Sequence, residues 1–382
     1  MKIAERIITE AFNRVGVTVN GIEPWDIRVN DSRFYWRVLS QGSLGLGESF
    51  MAGWWDCQSL DQFFERLLRN GLPWVERLSP PSVTLALKSK LRDLAPKHLA
   101  FNIGKVHYDL GNSLFESMLD STMSYSCGYN FEEQLAGSGQ LHAAQVAKLD
   151  LICRKLELEP GQRVLDIGCG WGGLAHHAAT KYGVEVIGLT VSKEQAVLAR
   201  KRCQHLPVDI RLMDYRDIRE RFDHIMSVGM FEHVGPKNYR TYMKMVARCL
   251  RPNGLFLLHT IGMNPKFDHS VDAWIVKYIF PGGEVPTRRQ IIVSSGKERL
   301  AIRDWHEFGT NYDRTLMAWH SRFVAAWPEL KDKYEHQVRG QFYRMWVYYL
   351  LSCAALFRTG NTKLWQAVLA HSGKHQDYSV VR

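Results

Sequence analysis

The sequence predicts an α/β protein: a doubly wound, mainly parallel sheet preceded by a small mixed α+β domain. Three observations carry this prediction. From about residue 140, apolar runs of strand length alternate with helical segments, the pattern of parallel strands joined by crossover helices. One of these runs, VLDIG at 164–168, opens into a glycine-rich turn before a helix, and open α/β sheets hold ligands beyond the carboxyl ends of their strands. At 382 residues the chain exceeds one ordinary core, so a smaller domain beside a larger one is expected.

Along the chain, residues 2–14 have an amphipathic helix pattern and lead to short strands around VTVNG and WDIRV. A stretch rich in glycine and aromatics follows, DSRFYWRVLSQGSLGLGESFMAGWW, and then DQFFERLLRN, a helix closed by the glycine after it. Pro80, Pro81 and Pro96 punctuate the next segment. Within it, 83–95 sets Leu85, Leu87, Leu91 and Leu94 beside Lys88, Lys90 and Arg92. That pattern suits a basic helix lying on a membrane, or a linker helix packed on its own protein. The expected division is 1–75 as an N-terminal domain, 76–100 as a linker and 101–382 as the main domain. In the main domain a helix over 140–157 precedes the strand runs RVLDIG, VEVIGLT, VDIRLMD, FDHIMSVG and GLFLLHTIG, with helices between them. Two aromatic-rich helices, 313–327 and 338–357, come near the end.

Composition narrows the function classes. The content is 46% hydrophobic and 23% charged, that of a globular chain, and no apolar run reaches the length of a membrane span. The N-terminal stretch MKIAERIITEAFNRVG lacks the apolar core and cleavage site of a signal peptide. The seven cysteines are dispersed without a Cys-x-x-Cys pair, which predicts reduced thiols, a cytoplasmic location and no structural zinc. The net charge of +10 comes from the part beyond residue 135 and suits a polyanion, either nucleic acid or an anionic membrane face. A nucleic-acid methyltransferase would be expected to carry an Asn/Asp-Pro-Pro-Tyr-type motif or a Pro-Cys pair, and neither occurs.

The glycine turn reads VLDIGCGWGG over 164–173. Asp166 precedes Gly168, Gly170, Gly172 and Gly173, a D-x-G-x-G-x-G spacing instead of the G-x-G-x-x-G of dinucleotide folds. The next strand ends in GLTVS, without the acid that would hold a nicotinamide-cofactor ribose. The stretch closely resembles the S-adenosylmethionine loop of class I methyltransferases, which implies a Rossmann-like sheet of that class. Thr190 and Gln195 then stand where the ribose-binding acid would come from. Gln195 has a second reading, because Ser192-x-x-Gln195 is also a capping box. Asp214 and Tyr215 end the third strand run, where an adenine contact or ordinary turn chemistry would place them.

The remaining chemistry lies at other strand ends and in one unusual stretch. Residues 107–130, HYDLGNSLFESMLDSTMSYSCGYN, bring Tyr125, Ser126 and Cys127 together, although a lone cysteine is most often a small buried hydrophobe. GMFEHVG places Glu232 and His233 after a buried strand, LLHTIG places His259 in the next one, and Tyr312 follows in HEFGTNYDRT.

Taken in order, HYDLGN, YSC, VLDIGCGWGG, GMFEHVG, LLHTIG and DAWIVKYIFPGG resemble the cyclopropane-fatty-acyl-phospholipid synthases, relatives of the mycolic acid cyclopropane synthases. The resemblance runs from SLGLGESFMAGWW almost to the C-terminus, and the N-terminal extension is similar to that of the phospholipid enzymes. It implies methylene transfer from S-adenosylmethionine to the cis double bond of a membrane phospholipid acyl chain, through a carbocation. A lipid C-methyltransferase without ring closure is the alternative. It further implies a bound bicarbonate as base, held by Cys127, Glu232, His259, Tyr312 and the backbone N–H of Ile261. Tyr125, Ser126, Asp166, Gly168, Gly170, Thr190, Gln195, Asp214 and Tyr215 would hold the cofactor. His233 matches no catalytic position and reads as structural. The partners implied are an unsaturated phospholipid, peripheral contact with the inner face of the cell membrane, and a second copy of the chain through the N-terminal domain. No metal and no nucleic acid are expected. Aromatics of the two late helices, Trp319, Phe323, Trp327, Phe342, Trp346, Tyr348 and Tyr349, suit both an acyl channel and core packing. Gly128 and Asn130 depart from the Y-S-C-A-Y-W or Y-S-C-A-Y-F common in the family, and Asn130 removes an aromatic beside the implied channel.

Overall fold

The computed structural model describes residues 2–70, 111–131, 138–264 and 272–382. The helix expected over 83–95, the whole linker expected over 76–100, and His107 to Leu110 of the HYDLGN motif lie outside them. The chain opens with α1 (Lys2–Arg14), β1 (Ile27–Val29), α2 (Arg33–Met51), β2 (Trp55–Cys57) and α3 (Leu60–Asn70). VTVNG does not form the strand expected of it and contributes only a bridge from Val19 to Ile27. The glycines of α2 have a packing cause. Gly42 leaves helical geometry, at φ 56° and ψ −131°, and breaks the helix in two. At Gly47 a Cβ would stand 2.4 Å from the Trp274 ring, so only glycine admits that indole.

The larger sheet is built from the elements that follow. These are α4 (Asn112–Met118), α5 (Ser138–Lys155), β3 (Arg163–Ile167), α6 (Gly173–Tyr182), β4 (Glu185–Thr190), α7 (Lys193–Arg202), β5 (Val208–Leu212), β6 (His224–Val228), α8 (Tyr239–Cys249) and β7 (Leu255–Met263). Then come α9 (Ala273–Tyr278), α10 (Arg288–Lys297), β8 (Leu300–Glu307), α11 (Thr310–Tyr334), α12 (Phe342–Arg358) and β9 (Thr362–His371). The strand order is β5-β4-β3-β6-β7-β9-β8. β4 and β6 flank β3 in parallel, and β8 pairs antiparallel with β9. The order reverses at β3, so a crevice opens beyond its carboxyl end. β3 and β6 are buried on both faces, which accounts for their unbroken apolar runs.

By packing, the chain divides into two units that do not follow the expected division into 1–75, 76–100 and 101–382. One unit is 1–93 with 264–281 and 312–362; the other is 94–263 with 282–311 and 363–382. The reason is aromatic packing that sequence spacing cannot assign. Tyr348 of α12 lies 5.1 Å from Phe64 of α3, 5.6 Å from Phe50 of α2 and 4.4 Å from Trp274 of α9. Arg358 closes the same arrangement, pairing bidentately with Asp313 of α11 and reaching Asp61 and Glu65 of α3. The end expected for the first late helix at Trp327 is overrun, since α11 passes Pro328 and continues to Tyr334. The lost N–H of the proline is tolerated because Phe323, Leu330 and Tyr334 remain buried on one stripe and Tyr334 stacks on Phe342 at 5.1 Å.

Candidate active site

The crevice beyond β3 is lined by all nine residues expected to hold a cofactor, from Tyr125 to Tyr215. Three local features shape it. Gly168, Gly170 and Gly172 take positive φ of 83°, 55° and 79°, a path that residues with a side chain rarely follow. The N–H groups of Gly168 and Cys169 both donate to the Leu189 carbonyl, at 2.9 Å each, which fixes the turn to β4. A Cβ at Gly173 would meet the Thr122 carbonyl at 2.1 Å, so this glycine serves the approach of another protein segment.

That segment, 122–127, is held from α5. Gln145 donates to the Ser126 carbonyl at 2.8 Å, and one turn on, the Lys148 ammonium donates to the Ser126 hydroxyl at 2.8 Å. Trp171 of the glycine turn is buried in the cavity wall and donates to Asn112 at 2.9 Å.

The two readings of Gln195 resolve into a half-formed cap. The Ser192 hydroxyl accepts the Gln195 N–H at 3.3 Å, but the Gln195 side chain turns to Thr190, whose hydroxyl donates to it at 2.8 Å. Asp214 shows the turn chemistry: it accepts the Arg216 N–H at 2.9 Å and pairs with the Arg216 guanidinium at 2.7 Å. Both residues still line the cavity. His233, read as structural, also lines it, and burial pushes its imidazole down to about 4, so it is neutral there. Burial likewise raises the Asp166 carboxyl to about 7 and lowers Lys148 to about 8.

A second group gathers at the carboxyl ends of β6 and β7, where Val228 stands opposite His259. Glu232 sits in a single 3₁₀ turn just after β6 and is 7% exposed. One of its oxygens accepts the Ile261 N–H at 2.6 Å, while Oε2 is buried without a hydrogen-bond partner. Burial raises this carboxyl to about 7 against the opposing pull of the Ile261 N–H. His259 receives the Gln366 amide of β9 on Nδ1 at 3.2 Å, which leaves Nε2 as the protonated nitrogen, buried and unpartnered. Burial holds the ring well below the usual imidazole range, hence neutral.

Glu232, His259 and Ile261 thus come together, with one correction. The Ile261 N–H, expected to meet a bound anion, is spent here on Glu232, because a buried carboxylate takes the nearest donor. Cys127 is fully buried in the same unit, its thiol on the Gly128 carbonyl at 3.1 Å. Tyr312 belongs to the other unit, where its ring stacks on Phe357 at 4.3 Å and 18°. Sequence reasoning missed Lys148, Gln145 and Gln366. For the first two, the signal was two polar residues a turn apart on the inward face of α5; for Gln366 there was none.

Comparison with known proteins gives consistent relatives. Residues 96–367 match the family described as mycolic acid cyclopropane synthetase. The chain is 52% identical to the cyclopropane-fatty-acyl-phospholipid synthase of Escherichia coli, over 96% of this chain and 93% of that one. It is 34% identical to the tuberculostearic acid methyltransferase UfaA1 of Mycobacterium tuberculosis, over 88% of this chain and 81% of that one. The crystal structure of mycolic acid cyclopropane synthase CmaA1 complexed with SAH and CTAB superposes with a TM-score of 0.65 at 31% identity, covering 73% of this chain and 99% of that one.

Proposed function

The chain belongs to the mycolic acid cyclopropane synthetase family, and from that membership and the site's geometry we infer how it works. It is an S-adenosylmethionine-dependent cyclopropane-fatty-acyl-phospholipid synthase, which adds a methylene group across the cis double bond of an unsaturated phospholipid acyl chain. The observation that carries this reading is the meeting of two features in one unit. A cavity lined by every expected cofactor residue opens beyond β3, and a buried, proton-holding Glu232 with a spare oxygen stands at the ends of β6 and β7.

The cavity residues fit the cofactor: glycines 168 and 170 admit its backbone approach, and Thr190 with Gln195 offer polar groups at the ribose end. When bound, S-adenosylmethionine supplies an electrophilic methyl group. The alkene is a weak nucleophile, and its attack leaves a carbocation on the acyl chain. The proton then lost comes from the newly added methyl, after which the ring closes, so a base must stand beside it.

Glu232 and His259 do not serve as that base directly. Glu232 carries its proton up to about pH 7 and His259 is neutral with Nε2–H as a donor. Two buried polar atoms without partners, Glu232 Oε2 and His259 Nε2, fit an anion that shares a proton with the first and accepts a bond from the second. Bicarbonate suits both, and it would supply the base. Glu232 orients that ion, and its protonation removes the repulsion between two neighbouring negative charges.

The second reading, a C-methyltransferase that leaves the ring open, is favoured by the 34% identity to UfaA1. Incubation with S-adenosylmethionine, bicarbonate and liposomes of a cis-unsaturated phospholipid, followed by gas chromatography and mass spectrometry, separates the two. A saturated cyclic acyl chain one methylene heavier supports ring closure; a branched or methylene-bearing chain supports the second reading. For partners, the reading includes peripheral contact with a membrane and a homodimer, with the N-terminal domain serving both. The membrane contact is supported by the basic net charge of +10.

A further inference from the structure

Asp304 of β8 is 5% exposed and holds two cations at once. Lys155, fully buried at the end of α5, donates to one carboxylate oxygen at 2.9 Å. Arg382, from the segment after β9, takes both oxygens at 2.7 Å each. The Tyr378 hydroxyl of the same segment donates to the Lys155 carbonyl at 2.8 Å. Lys155 alone would balance the charge of this carboxylate, so charge balance does not explain the second cation. A bidentate guanidinium does more than neutralise: it fixes the plane of the carboxylate. What lies behind that carboxylate follows from an irregularity of β8 between Ile302 and Asp304. Leu300 and Ile302 pack on one side of the sheet, and strict alternation would send Asp304 and His306 there too. The irregularity puts Trp305 on that side instead and turns Asp304 and His306 toward α5. His306 accepts from the Lys155 ammonium on Nδ1 at 3.2 Å, since an ammonium only donates. Its partner across the strands is Gln366, the residue that donates to His259. The Phe308 ring packs on both imidazoles, its centre 4.8 Å from that of His306 and 5.7 Å from that of His259.

We propose that Arg382 is a positioning residue for the anion site: its grip on Asp304 fixes Lys155 and His306, and His306 in turn seats Gln366 and Phe308 against His259. This rests on the reading of His259 as a donor to bicarbonate. Cross-strand neighbours such as His306 and Gln366 stand side by side on one face of the sheet, so the place of one side chain limits the other. Tyr129 closes the arrangement from the segment that carries Cys127, its ring centre 5.6 Å from His306 and 5.1 Å from Phe308. His306 therefore has the Lys155 ammonium on one ring nitrogen and aromatic rings around the rest, and it has little freedom to turn. The benefit falls on His259, whose Nε2–H has to point at one place, because a hydrogen bond weakens steeply once its donor leaves the line. The segment after β9 thus acts on the reaction without touching cofactor, substrate or anion.

The test compares the wild type with Arg382→Gln in the full chain. The Arg382 side chain is 43% exposed, so the substitution leaves the buried Lys155–Asp304 pair in place. The bicarbonate needed for half-maximal rate should rise about tenfold, the worth of one well-aligned hydrogen bond, while the maximal rate and the affinity for S-adenosylhomocysteine change little. An unchanged bicarbonate requirement would overturn the proposal. So would a loss shared by all three quantities, which marks a general loosening of the fold. A second readout does not depend on bicarbonate. With isotope-labelled histidine, and His259→Asn to identify the His259 signals, nuclear magnetic resonance of the wild type should show His259 as one tautomer with its proton on Nε2. Arg382→Gln should show a mixture of tautomers, and a single unchanged tautomer would overturn the proposal. A wild type whose rate ignores bicarbonate would refute the base reading itself, and the tautomer measurement then decides the role of Arg382 alone.

Discussion

At the scale of single residues, one buried carboxyl group, Glu232, titrates near neutral pH. Burial pushes Glu232 up to about 7, so it gives up its proton across neutral pH and not in the acid range of an ordinary carboxyl. If it orients bicarbonate through a shared proton, the bicarbonate needed for half-maximal rate, measured at each pH, should rise as pH climbs through about 7. In Glu232→Gln that inflection should vanish and the maximal rate fall by roughly 100-fold or more, with cofactor affinity unchanged. The same group acts on stability with a defined sign. Because its folded value is raised, its contribution is complete below the unfolded value and is lost as pH rises toward 7. Gln366 acts through His259, not on substrate. Gln366→Leu should raise the half-saturating bicarbonate about tenfold, the worth of one hydrogen bond, and leave the affinity for S-adenosylhomocysteine as it is. Glu232 and His259 were legible in the sequence because they sit at the ends of apolar runs. The Gln366–His259 bond was not, since β9 reaches β7 only through a strand order that no local pattern encodes. Nor did spacing show that the Ile261 N–H would be occupied by Glu232, a matter of backbone course after the two strands part.

At the scale of elements, the strands of the sheet were legible and the fate of the late helices was not. Apolar runs specify β3, β4, β6 and β7 because each is buried on both faces or nearly so, whereas β5, at the sheet edge, is only partly buried. An aromatic stripe on α12 says only that something covers it. The cover is α2, α3 and α9, with Tyr348 in contact with all three through Phe50, Phe64 and Trp274. Gly47 of SLGLGESF belongs to this packing, against Trp274. Gly47→Ala checks it. Alanine favours an exposed helix over glycine by about 1 kcal/mol, but here its Cβ would stand 2.4 Å from Trp274, a fully buried side chain. Overpacking should win, with a net loss of about 1–3 kcal/mol in denaturant unfolding.

At the scale of the whole molecule, the packing units alter how the N-terminal part can be studied. Phe50 and Phe64 cover Tyr348 of α12, so deletion of 1–93 would uncover that ring and would not isolate a role in membrane contact. The intact chain serves better. With a net charge of +10, its sedimentation with anionic phosphatidylglycerol liposomes should weaken steeply between low and high salt, as surface attraction is screened within about 10 Å at 0.1 M. Salt-independent binding would point to insertion of apolar groups instead.

The central claim is that the proton removed during the reaction comes from the methyl group just transferred, with ring closure following. The most direct test supplies S-adenosylmethionine carrying a fully deuterated methyl, together with bicarbonate and unsaturated phospholipid vesicles, and reads the acyl products by mass spectrometry. The account predicts a cyclopropane chain that keeps two of the three deuteriums and forms faster as bicarbonate is added. A product that keeps all three, on a chain without a ring, would contradict it.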